Sequence, residues 1–182
     1  MDDLQELMAR ERIRQLALRY AFAVDGKDLD GVAALFAEDV DNGRYGPGRE
    51  GVRTFYDHAL RKFHCSMHLV ANHLISFDAD DRAHGVVYCR AQHHVLEPDH
   101  WFDAALAYFD TYELIGGEWL FRRRRLRQWY RQQIGHPEHG MERVVEEVPA
   151  EGPQRGARMP EILPTFDEFW AREPRPIPGR QA

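Results

Sequence analysis

The sequence predicts an α+β fold, in which three N-terminal helices pack on one face of a curved antiparallel sheet. Two observations predict it. Apolar residues recur near the 3.6-residue helical period over the first third of the chain. Four long β-rich segments then follow, each closed by a turn signal. A third observation sets where the domain ends. Eight of the ten prolines lie in residues 133–182, so the chain reads as one domain over 1–132 and a proline-rich tail over 133–182.

The first helix rests on Leu4, Leu7, Met8, Ile13, Leu16, Ala17, Tyr20 and Val24. It should stop at Asp25-Gly26, since glycine is the usual terminator. Asp28 is placed to cap a second, short helix with Leu29, Val32, Leu35 and Phe36 inside. Residues 42–51 are glycine-rich with Pro47 and read as a loop. The third helix spans about 50–63, with Val52, Phe55, Tyr56, Leu60 and Phe63 inward. Strands are expected at 67–77, 83–96, 104–114 and 118–129. The acidic run 78–81, the Glu97-Pro98-Asp99 corner and the Gly116-Gly117 pair separate them. In the tail, residues 162–170 form an apolar patch that docks on the core, docks on a neighbouring subunit, or is a disordered end.

Composition narrows the function. The chain has 182 residues, 24 basic and 30 acidic, for a net charge of −6. That sign disfavours a nucleic-acid partner. No run approaches the ~20 apolar residues of a membrane span, and the acidic N-terminus does not read as a secretory signal. Two cysteines make no disulfide framework, so a reducing, cytoplasmic location is expected. No Gly-x-Ser-x-Gly elbow and no phosphate-binding glycine loop occurs. His93 and His94 are adjacent on a strand and face opposite ways, so they cannot chelate one ion, and no metal is expected. Arg122 to Arg125 are likewise split between two faces. The outward pair is solvated or interfacial, and an inward arginine forms an ion pair or meets substrate.

Strand alternation points to a site. His68, Val70, Asn72 and Leu74 should share one face of the first strand. Cys89, Ala91, His93 and Val95 should share the inner face of the second, with Arg90, Gln92 and His94 outward. His68 and His93 then look into one cavity. Asp25, just past the first helix, is the natural partner for His68, because a carboxylate on one imidazole nitrogen fixes the tautomer and raises the basicity of the other. A plain helix-end turn residue is the alternative for Asp25.

The stretch Ile13 to Asp39, the segment Met67-His68-Leu69-Val70-Ala71-Asn72-His73-Leu74-Ile75, and Tyr108-Phe109-Asp110-Thr111-Tyr112 with Gly117-Glu118-Trp119 together resemble SnoaL-like proteins of the nuclear transport factor 2-like superfamily. The resemblance covers about residues 5–130. It implies a cone, an NTF2-like α+β barrel in which a bent sheet wraps a pocket closed by helices. The pattern is similar to that of scytalone dehydratase, bile-acid 7α-dehydratase and the hexachlorocyclohexane dehydrochlorinase, which are cofactor-free lyases. By that resemblance Asp25 and His68 form a general-base dyad, Tyr20 and Asn72 hydrogen-bond an enolate oxygen, and His93 protonates the leaving hydroxyl. No cofactor is implied. The substrate is a small, apolar, ring-sized molecule walled by Phe36, Tyr45, Val70, Cys89 and Trp129. The alternatives are an isomerase or polyketide cyclase, a deformylating C–C lyase, and a non-catalytic binding module. A homo-oligomer, dimer or trimer, is also implied. The Arg90/Gln92/His94 row and the 162–170 patch would suit its interface.

Overall fold

A computed structural model describes residues 1–135, 159–160 and 163–179. Four helices and four strands follow in the order α1 (Asp3–Asp25), α2 (Leu29–Ala34), α3 (Gly48–Leu60), β1 (Cys65–Ala79), β2 (Arg82–Leu96), β3 (Asp99–Ile115), β4 (Glu118–Ile134) and α4 (Pro164–Ala171). The strands form one antiparallel meander, β1-β2-β3-β4. The expected architecture is present, with each strand longer than its apolar pattern suggested. β4 runs two residues past the expected domain end. Prolines 137, 149 and 153 and Ile162 lie outside the described residues.

Local chemistry explains the helix boundaries. Asp2 caps α1 by accepting the Gln5 N–H at 2.8 Å, while the Gln5 side chain accepts the Asp2 N–H at 2.9 Å. This reciprocal box satisfies two donors that the first turn leaves open. Asp28 caps α2 through Gly31 N–H at 2.8 Å. Between them Lys27 adopts φ +54°, a conformation that disfavours a side chain. Its side chain is what holds it there. Lys27 is 2% exposed, and its Nζ donates to the carbonyls of Leu60 and Phe63 at 3.2 and 2.8 Å. Gly51, early in α3, has no room for a Cβ, which would sit 1.9 Å from the Gly46 carbonyl oxygen. That close approach ties the 42–51 loop to the helix.

The core fills the space between the helices and the inner sheet face. Ile13, Ala17, Val32, Val52, Val87, Ala91 and Phe121 are completely buried. Bulges on β1 and β4 change which side chains reach this face. On β1, Val70 pairs with Cys89 and His73 with Val87, so Ala71 and Asn72 together oppose Tyr88 alone. The extra residue flips the alternation. His68, Val70, His73 and Ile75 face in, and Asn72 and Leu74 face out; the expected His68/Val70/Asn72/Leu74 row is corrected accordingly. On β4, Arg122 is the extra residue between the Thr111–Arg123 and Tyr112–Phe121 pairs, so Arg124, Leu126 and Gln128 face in and Trp129 lies 66% exposed on the outer face. Trp129 is itself a second extra residue opposite Ala105 and Leu106, after which Arg131 faces in.

The described part of the tail folds back on its own chain. Phe166 and Phe169 of α4 are 2% and 1% exposed, each stabilising the docked helix by roughly 1.5–3 kcal/mol. Thr165 Oγ1 donates to the Gly26 carbonyl at 2.6 Å. Arg61 donates to the carbonyls of Phe169 and Arg172. The Arg175 N–H reaches the fully buried Asp57 carboxylate at 2.5 Å. Phe166, Phe169 and Trp170 surround the Lys27 ammonium at 5.8, 5.1 and 4.9 Å.

Candidate functional site

The end of α1 and the start of β1 meet beside the inner face of the open sheet. Asp25 Oδ1 lies 2.6 Å from His68 Nδ1, and its Oδ2 accepts the His68 backbone N–H at 2.8 Å. The carboxylate therefore holds both the ring and the strand. The two side chains are 16% and 6% exposed. With Nδ1 donating to Asp25, Nε2 is the nitrogen left to act on a ligand.

His68 lines a cavity of about 280 Å³. Its walls come from α1 (Tyr20, Val24), α3 (Tyr56, Leu60), β2 (His93), β3 (Phe102, Ala104, Leu106, Tyr108) and β4 (Arg124, Leu126, Gln128, Arg131), with Phe63 at the α3–β1 turn. The His68 and His93 rings stand 5.4 Å apart. His93 shares a 2.8 Å hydrogen bond with Ser66 Oγ and is sandwiched by Phe63 and Phe102 at 4.4 and 4.7 Å. Burial, then the neighbouring His68, Arg131 and Lys27, push its pKa down to about 3. It is neutral at physiological pH. As a neutral imidazole it offers one N–H and one acceptor nitrogen to a hydrogen bond.

The opposite wall is a tyrosine–arginine cluster. Tyr56 OH donates to Tyr20 OH at 3.1 Å, and the Tyr20 and Tyr108 rings meet edge-on at 5.7 Å. Burial raises the pKa of all three phenols, so they are neutral hydroxyls. The Arg124 guanidinium lies 4.1 Å from the centres of both the Tyr20 and Tyr108 rings. It holds Asp110 through two bonds of 3.0 and 2.9 Å. Burial opposes its charge, but Asp110 and the two tyrosines outweigh burial and raise its pKa. One of its nitrogens, Nη1, is buried without a hydrogen-bond partner among the described residues. An orphaned charged donor at a cavity wall costs free energy unless a ligand oxygen meets it.

Four expected site residues thus surround one cavity: Asp25 behind His68, with Tyr20 and His93 on its walls. The expected wall residues are mostly elsewhere. Asn72 and Trp129 line a hollow of about 550 Å³ on the outer sheet face, put there by the bulges at Ala71–Asn72 and Arg122. Tyr45 and Phe36 line a smaller recess that shares Phe55, Tyr56 and Arg124 with the cavity. Val70 and Cys89 pack into the core, and burial pushes the Cys89 thiol up to about 11, so it is unreactive. A wide groove of about 640 Å³ between α1, α2 and Leu163 contains no paired base. Sequence reasoning missed Arg124 as a named site residue, along with Tyr56, Tyr108, Gln128 and Arg131. The inward arginine of the 122–125 run was the signal for the first. No three histidine, cysteine or acidic side chains gather as a metal site among the described residues. No helix among the described residues is long and apolar enough to cross a membrane.

Comparison with known proteins agrees with this architecture. The family model described as a SnoaL-like domain matches residues 5–125. No curated protein matches. Among solved structures, hexachlorocyclohexane dehydrochlorinase LinA-type3 from Novosphingobium barchaimii LL02 is 21% identical, with a TM-score of 0.68 over 75% of this chain and 97% of that one. A structure titled putative scytalone dehydratase, from Novosphingobium aromaticivorans, is 23% identical, with a TM-score of 0.65 over 75% and 94%. ActVI-ORFA from Streptomyces coelicolor is 20% identical, with a TM-score of 0.57 over 68% and 97%. At these identities the likeness is one of fold.

Proposed function

We propose that this chain, which belongs to the SnoaL-like domain family, is a cofactor-independent lyase that eliminates water from a small ring-containing carbonyl substrate. The observation that carries this reading is the 2.6 Å contact between Asp25 Oδ1 and His68 Nδ1 at the wall of an apolar cavity. A hydrogen-bonded carboxylate prepares the other imidazole nitrogen as a base. His68 Nε2 takes the proton next to the carbonyl. Negative charge then develops on the carbonyl oxygen. In this reading the Arg124 N–H and the neutral Tyr20 hydroxyl stabilise it as preorganised donors. The His68 imidazolium returns its proton to the departing hydroxyl, so one residue serves as base and then as acid. His93 supplies a neutral hydrogen bond.

Similarity in fold to a dehydrochlorinase and to a putative scytalone dehydratase is consistent with this chemistry. A cytoplasmic location and a homo-oligomer of two or three chains remain part of the proposal. The neutral state of His93 favours one second reading. An isomerase or cyclase needs no acid for a leaving group, and its base returns the proton to carbon.

The test is a screen of hydroxy-carbonyl ring compounds with product analysis by mass. Loss of water supports elimination, and an unchanged mass supports isomerisation or cyclisation. The released fragment would reveal C–C cleavage. His68→Ala and Asp25→Asn should lower turnover by ~10²–10⁴-fold with the fold retained. Near-normal turnover in either variant would remove the dyad from the mechanism. Ligand binding with no turnover, unaffected by loss of His68, would support a binding module.

A further inference from the structure

The sheet register sets a positive group opposite the base. His68 pairs with Ala91, Ala91 with Ala104, and Ala104 with Arg131. Paired residues of neighbouring strands share a face. His68 and Arg131 therefore stand at the two ends of one row across the inner face, with two alanines between them. Three inter-strand steps separate their backbones by ~14 Å; of the two alanines, Ala104 lines the cavity and Ala91 is packed in the core.

Arg131 is fixed in place, and among the described residues no carboxylate answers its charge. Its guanidinium carbon lies 3.6 Å from the centre of the Phe102 ring. Phe102 is in turn braced by His93 and Phe63. The aromatic face orients the guanidinium and leaves its N–H edge available. No carboxylate among the described residues forms an ion pair with it. The cavity lining contains no acidic side chain, whereas Arg124 is already held by Asp110 and His68 by Asp25. Arg131 is exposed at the cavity wall.

We propose that Arg131 is a specificity residue that binds a carboxylate on the substrate, at the end of the cavity opposite His68. A planar guanidinium offering its edge matches a carboxylate through two parallel hydrogen bonds. The substrate class is then a ring-sized carboxylic acid. Its ring lies in the cavity against Ala104, and its acidic C–H is turned toward His68. This inference rests on the reading of the cavity as the reaction site.

The experiment uses two probes of the same shape, 2-naphthoate and its neutral counterpart 2-naphthamide, titrated into the full chain while the His68 ring signals are followed by NMR. The wild type should bind the carboxylate roughly tenfold or more tighter than the amide. Arg131→Gln should remove that preference by weakening naphthoate alone, with amide affinity unchanged. Arg131→Lys should restore part of it, because charge returns without the fork. Suppose both probes move the His68 signals but bind the wild type equally. The cavity reading then stands and the carboxylate proposal is overturned. A preference that survives in Arg131→Gln overturns it too and assigns the anion to Arg124. If neither probe moves the His68 signals, the cavity reading fails and the proposal falls with it.

Discussion

Arg124 shows how one side chain can join stability to chemistry. It and Asp110 are both almost fully buried, at 3% and 0% side-chain exposure. Removing one partner of such a pair leaves an uncompensated charge. Arg124→Met should therefore destabilise the protein by about 3–5 kcal/mol in denaturant unfolding. Replacing both partners, Arg124→Met with Asp110→Leu, should recover most of that loss, because no charge is left buried. The double variant should still lack turnover if the Arg124 N–H meets the developing enolate. The sequence made only part of this legible. Alternation within the arginine run requires some of its members to face inward. It does not say which one meets a carboxylate, because a bulge at Arg122 shifts the count against β3.

At the scale of elements, bulges and one helix decide what the cavity contains. The order of helices and strands was readable because apolar period and turn residues mark them locally. The bulges at Ala71–Asn72 and Arg122 carry no such mark, and a single inserted residue in each strand was enough to send Asn72 and Trp129 to the outer face. His68 precedes the first bulge, which is why its inward placement could be read by simple alternation. The docking of α4 was legible as a sticky patch only. Its partner could not be read, because Lys27 looks like an ordinary turn residue in sequence. Burial under the α4 aromatics holds the Lys27 pKa down at about 8, against an ordinary value of 10.5. Between those values the unfolded chain binds a proton that the folded chain does not, so stability rises with pH from about 8 to 10.5. Lys27 contributes about 3 kcal/mol to that rise. In Lys27→Met the unfolding free energy should be flatter over the same window. An unchanged slope would show that the ammonium is solvated rather than caged.

The whole molecule carries an acid sensitivity of the same origin. Burial, followed by Arg124 and Arg14, lowers the His73 pKa to about 4, and His93 lies at about 3. Both histidines are kept neutral in the folded state. Below pH ~6.5 the unfolded chain takes up protons that the folded chain refuses, so stability is full above that pH and falls as pH drops toward 3. His93→Phe preserves the stack with Phe63 and Phe102 and removes one titrating group. Its denaturation midpoint should fall less steeply over the same range.

The central claim is that Asp25 prepares His68 as a base. The ring tautomer of His68, measured by nitrogen-15 NMR on the wild type and on Asp25→Asn, tests it most directly. The predicted wild-type ring carries its proton on Nδ1 and leaves Nε2 as an acceptor, a preference lost in the variant. A wild-type ring protonated on Nε2, or one indifferent to the Asp25 substitution, would contradict the account.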